Sequence, residues 1–270
     1  VTANLLVNLG EPFATDAIGR PEPNPRIQRE ADDYNRAHGF PPIDHDEYLD
    51  VDVERARRIA AAYGALPMDD RANPAVRRAY EVFANEIHQQ WDFAVARGMT
   101  FEPAPDGVDP YTTSFDMAQD VRDHRHLHFF QGGEPHGFLS AVDPHMGYSI
   151  NDKFRAIHDY FGHCASGYGF GPRGEENAWH AHLHMFSHEA RGAMTTETRG
   201  QNSYLNFGPQ NYDDGGQYRN IPPAQRPFAP QKTALLPGEF VRCLDSAAYR
   251  YRAVYATRNS GRRLTSVHDE

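Results

Sequence analysis

A chain of 270 residues with 39% hydrophobic and 12% aromatic content carries enough apolar surface for one large domain or two small ones, so disorder is not its default state. A formal charge of −10 argues against a nucleic-acid surface or an anionic membrane surface, because either needs clustered Lys and Arg. No run approaches the roughly 20 apolar residues that span a bilayer, and the opening VTANLLVNLG lacks the basic flank of a signal peptide. The expected setting is cytoplasmic, with a small molecule as partner, no nucleic acid and no membrane, and homo-oligomerisation left open.

Residues 1–50 are expected to form an extended N-terminal arm. Pro21, Pro23, Pro25, Pro41 and Pro42 stand there among mixed charges, a composition that should not run far as helix. A helix is predicted from about Asp52 to Tyr63, stopping at Gly64. A second should start at Asn73-Pro74, with Asn as N-cap and Pro in the first helical position, and end before Gly98. Along it Val76, Tyr80, Phe83, Ile87 and Ala94 recur at three- or four-residue spacing and make one buried face. A shorter helix near Ser114 to Asp123 leads into HLHFF, read as a strand, and glycines and prolines then mark loops.

The segment from Asp152 to Gly162 reads as helix, the next as far as Gly174 as a mobile glycine-rich loop, and Glu175 to Ala190 as helix again. After Gly200 comes a long stretch without period, up to Pro237. A last helix after Gly238 should bury Phe240, Leu244, Ala248, Tyr251 and Tyr255. The expected fold is therefore mainly α: a single helical domain with long loops and little sheet, in which residues 51–270 form the metal-binding catalytic part.

Fifteen histidines raise the prior for metal, and two of them, His158 and His163, fall in IHDYFGHC. Five residues on an ideal α-helix turn about 500°, which leaves the two rings about 140° apart. Gly162 is expected to end the helix and swing His163 back. On the following helix Glu175 and His182 lie within about 20° of each other on the wheel, inside a stripe made by Ala178, Trp179, Leu183, Met185 and Phe186. A carboxylate and an imidazole there cost several kcal/mol unless they are paired. Glu176, His180, His184 and His188 fall on the opposite side, where solvent is the simpler environment.

In the segment TTETRG, Glu197 could complete the two histidines into a facial triad with open positions for O2 and substrate. His124, His126 and His128 alternate with period two, so on a strand all three would face one way; a solvated strand end is the simpler reading.

The HDYFGH element resembles the iron-binding motif of the pterin-dependent aromatic amino acid hydroxylases. That resemblance implies Fe(II) bound by His158 and His163, with Glu197 as the third ligand, a mainly helical fold, and a pterin or another cosubstrate. It rests on about 45 residues, of which the six-residue motif is the specific part.

The expected function is a mononuclear non-haem iron(II) oxygenase or hydroxylase acting on a small substrate, an aromatic one by the resemblance. His158, His163 and Glu197 are the expected metal ligands, and Glu175 and His182 are expected to orient a ligand, move protons, or bind metal themselves. One alternative is a metal-dependent hydrolase of the HD phosphohydrolase type, using His158-Asp159 with His124 to His128 and Asp152. Others are a dinuclear metal oxidase and a non-catalytic protein stiffened by a structural metal.

Overall fold

The computed structural model describes residues 19–105, 107–144, 147–219, 221 and 225–242. Within them the chain is mainly α, and its sheet consists of two short strands.

Helix α1 (Pro25–His38) occupies the segment expected to be an extended arm. Its prolines permit it because Pro25 takes the first helical position, where an N–H would have no intrahelical partner. The Asn24 side chain accepts from the Arg26 and Ile27 amides, and Gly39 closes the helix at φ 72°. Ile27, Ala31 and Tyr34 bury its inner face. The residues after it are tied to the glycine-rich connection and to the following helix: the Tyr168 hydroxyl donates to the Glu47 carbonyl (2.7 Å), and the Leu49 amide donates to Asn177 Oδ1 (2.7 Å).

Helix α2 (Val53–Ala65) is capped by Asp52, and α3 (Pro74–Ala96) by Asn73 with Pro74 in the first turn. The α3 stripe Val76, Tyr80, Phe83, Ile87, Trp91 and Ala94 is buried and forms the middle of the core. Strand β1 (Thr100–Pro103) pairs in parallel with β2 (His126–Phe129), in register from Thr100 opposite His126 to Pro103 opposite Phe129. Between them α4 (Ser114–His124) starts at a reciprocal Thr113–Asp116 cap.

Helix α5 (Ile150–Ile157), capped by Ser149 and Asp152, continues without a break into a π-helical turn, His158–Cys164. Helix α6 (Pro172–Leu183) ends seven residues before the sequence-based boundary at Ala190, in turns where the Met185 and Phe186 amides donate to the His182 and Leu183 carbonyls. Three further pieces follow: α7 (Arg191–Thr195), a second π turn (Thr196–Gly200) and α8 (Gln201–Phe207). The chain just after Gly200 is therefore helical, its inner face supplied by Ser203, Asn206 and Phe207 instead of a regular apolar stripe.

Of the last predicted helix, α9 (Gly238–Val241) is described and buries Phe240; Leu244, Ala248, Tyr251 and Tyr255 lie outside the described residues. Among the described residues no helix is long and apolar enough to cross a membrane.

Candidate metal centre

The π turn resolves the awkward spacing of the two histidines. Hydrogen bonding from i to i+5 stacks residues five apart, so His158 and His163 share one side without the helix ending at Gly162. Their ring centroids are 5.2 Å apart at 86°. Gly162 sits inside the turn, and a Cβ there would lie 3.1 Å from His158 Nδ1 and 3.2 Å from the Ala178 carbonyl oxygen. Its missing side chain lets α6 pack directly against the histidine turn.

Helix α6 brings Glu175 to the same place. Glu175 Oε2 is 3.5 Å from His163 Nε2 and 4.0 Å from His158 Nε2, and the three residues offer ligand atoms all within 4.8 Å of one another. The glycine-rich connection is a packed clamp and not a mobile flap: residues 161–169 are buried, and a Cβ on Gly174 would overlap the Gly169 carbonyl. Phe170 follows at the surface, edge-on to the His163 ring at 5.4 Å.

Hydrogen bonds fix which nitrogen faces the centre. Gln90 on α3 donates its amide to the Met185 carbonyl (3.0 Å), so its Oε1 accepts from His182 Nε2 (2.7 Å). The other nitrogen of His182 is then an acceptor, and it receives the Nδ1 proton of His158 at 3.0 Å. His158 is left with a lone pair on Nε2, which is buried and has no hydrogen-bond partner. An orphaned buried acceptor beside a carboxylate and a second imidazole is the arrangement a divalent cation satisfies.

His163 donates Nδ1–H to the Tyr168 carbonyl (3.2 Å), which likewise directs Nε2 inward. Burial alone would lower its basicity, but the Glu175 carboxylate outweighs that and holds His163 at about 9. Without a metal, a proton on His163 therefore balances Glu175; a cation would take its place. Burial keeps His182 neutral, down to about 3, and pushes His158 well below the ordinary imidazole range, aided by the neighbouring His163. His182 is fully buried, ringed by Phe154, Phe161 and Phe186.

Glu197 is held elsewhere. Its Oε1 accepts from the Tyr80 hydroxyl (2.5 Å) and from His136 Nε2 (3.1 Å), and its Oε2 accepts from Gln201 (2.8 Å). His136 Nδ1 accepts from the Phe138 and Leu139 amides, so no lone pair of that imidazole faces Glu197. Each Glu197 oxygen already has a donor, whereas Glu175 is partly open to solvent, with 29% of its side chain exposed. Among the described residues the carboxylate that converges with His158 and His163 is thus Glu175.

Two further expectations change. Glu176 is not solvated: it is buried in a bidentate ion pair with Arg199, whose guanidinium also covers the Trp179 ring at 4.0 Å. His180 is half-buried, 3.4 Å from Glu47. Asp159 is not one of the converging residues, and Asp152 is occupied in capping α5.

Sequence reading passed over Gln90. The signal was present, since Gln90 is a polar residue inside the stripe of Phe83, Ile87 and Ala94, the same anomaly that singles out His182 on α6.

No known protein family, curated protein or solved structure matches the chain. The centre resembles the two-histidine, one-carboxylate facial triad of non-haem iron enzymes in general, with no feature particular to the aromatic amino acid hydroxylases.

Proposed function

We propose that this protein is a mononuclear non-haem iron(II) oxygenase acting on a small substrate, with His158, His163 and Glu175 as the three protein ligands. The observation that carries this reading is the partnerless His158 Nε2, set by the Met185–Gln90–His182 chain to face His163 Nε2 and Glu175. Two imidazoles and one carboxylate leave half of an octahedral iron sphere free, and bound Fe(II) would supply O2 activation there. The chain's own residues do the rest. His182 holds the His158 proton on Nδ1 and so keeps Nε2 unprotonated. The Tyr168 carbonyl does the same for His163. Phe154, Phe161 and Phe186 keep water from the inner side, and Phe170 forms an outer wall against which the flat face of a substrate could lie. Glu197 serves the neighbouring Tyr80–His136 network as an acceptor and not the metal.

The test is metal binding followed by anaerobic nitric oxide addition, with O2 uptake read in parallel. Wild-type protein should bind one Fe(II) at this centre and give the high-spin iron–nitrosyl signal; Glu175→Gln should lose both, while Glu197→Gln keeps them. Loss in Glu197→Gln with retention in Glu175→Gln would hand the third position back to Glu197. Iron bound with no nitrosyl signal would sink the oxygenase reading.

A further inference from the structure

The histidines of β2 form a second group that the first centre does not use. Arg125, at φ 55°, turns the chain after α4, so His124 stays on the helix while His126 and His128 lie two apart on the strand. The expected row of three is therefore a pair. Phe101, Leu127 and Phe129 point into the core, which puts His126, His128 and Glu102 on the outer face, with Glu102 directly opposite His128 in the parallel register. Each of the three offers a ligand atom within 4.8 Å of the others.

The donor geometry resembles that of a prepared ligand set. His126 Nδ1 is 2.7 Å from Asp120 Oδ2, which can only accept, so in the neutral ring Nε2 carries the lone pair, 3.6 Å from Glu102 Oε2. Asp120 is fixed in turn by the Tyr111 hydroxyl (2.7 Å) and by His124 Nδ1 (2.9 Å). The His128 amide donates to that same tyrosine oxygen at 2.8 Å, and His128 Nδ1 is buried with no hydrogen-bond partner. The two rings stand edge to face, 4.3 Å apart. A carboxylate that orients a histidine whose far nitrogen meets another imidazole and a second carboxylate is a common outer shell of a metal site.

We infer that Glu102, His126 and His128 form a second divalent-metal site, one that Zn(II) can fill, that clasps β1 to β2. Two imidazoles and one carboxylate suit zinc, and water completes a tetrahedron. A two-stranded sheet of four-residue strands gains from such a clasp, because it is marginal on its own. This site does not depend on the oxygenase reading.

Equilibrium dialysis of the whole chain against low-micromolar zinc chloride tests the proposal. His126→Ala and His128→Ala should each bind one zinc fewer than wild type, and Asp120→Asn should retain the site with affinity weakened on the order of 10- to 100-fold. His163→Ala should lose a different equivalent, so the two centres fail independently. Unchanged stoichiometry in both strand variants would overturn the inference. Should either variant unfold, imidazole nitrogen NMR of wild-type protein decides: zinc-dependent shifts at His126 and His128 support the site, and their absence at saturating zinc refutes it.

Discussion

At the scale of single residues, His182 does the most for the centre without touching the metal position. Its two nitrogens are committed in opposite senses, Nε2 donating to Gln90 and Nδ1 accepting from His158. Replacing it with Phe keeps the volume and removes both. His158 then has no acceptor for its Nδ1 proton, and its two tautomers become competitive. Fe(II) affinity of His182→Phe should fall on the order of 10- to 100-fold, measured by competition with a chromophoric chelator, while His182→Asn, which can still accept, recovers part of it. Equal affinities in wild type and His182→Phe would reduce this residue to packing. The carboxylates illustrate a limit of residue-level reading. Glu175 and Glu197 each stand beside polar residues in sequence, Glu176 and the Thr196/Thr198 pair; only the donors that surround Glu197 in space, from Tyr80, His136 and Gln201, distinguish a saturated carboxylate from one left open.

At the scale of elements, the widened turn after α5 decides whether the motif works. An α-helical continuation would separate the two rings; the π turn brings them edge to face on one side, and Gly162 keeps the turn close to α6. A methyl group at 162 would be 3.1 Å from His158 Nδ1 and 3.2 Å from a backbone oxygen of α6, a contact that relaxes only if the helices part or the ring tilts. Gly162→Ala is expected to destabilise the fold by about 1–3 kcal/mol and to lower metal affinity by displacing His158 from Glu175. Urea unfolding of the metal-free variant beside its Fe(II) titration separates the two effects. A variant as stable and as tightly metal-binding as wild type would show that the turn has slack the packing does not suggest. The helix boundaries tell a parallel story: caps at Asn24, Asp52, Asn73, Thr113 and Ser149 each accept from the first turn, and local chemistry of this kind is readable without the fold.

At the scale of the whole molecule, several half-buried histidines away from the candidate metal centre are held neutral. Burial, with His184 and Arg199 beside it, lowers His180 to about 3, and burial likewise lowers His184 and His88. A histidine with a depressed folded value takes up a proton on unfolding between that value and the ordinary one near 6.5, so its contribution to stability is complete above pH 6.5 and is lost as the pH falls. His180 accounts for roughly 1.4 kcal/mol of loss per pH unit in that window. Denaturant unfolding at pH 6.5 and pH 5 should therefore show a smaller acid loss for His180→Gln than for wild type. The reverse ordering would mean that Glu47, 3.4 Å from His180 Nδ1, dominates and favours the charged ring.

The amino-acid sequence alone determined the helical class, the start of α3 at Asn73-Pro74 and its buried stripe, and it singled out His158 and His163 as candidates, because these follow from periodicity and from contacts within a few residues. The same wheel reasoning singled out His182 and Glu175, since a polar group inside an apolar stripe needs a partner whatever the fold. Tertiary structure alone decided the rest. It gave α1 its burial, turned the spacing of five into an edge-to-face pair, placed Gln90 against His182 across 92 positions of chain, and assigned Glu175 and Glu197 to different neighbours. The physical reason is that metal ligation and hydrogen-bond saturation depend on which donors meet a side chain in space, and those donors come from segments whose separation in sequence carries no record of their contact.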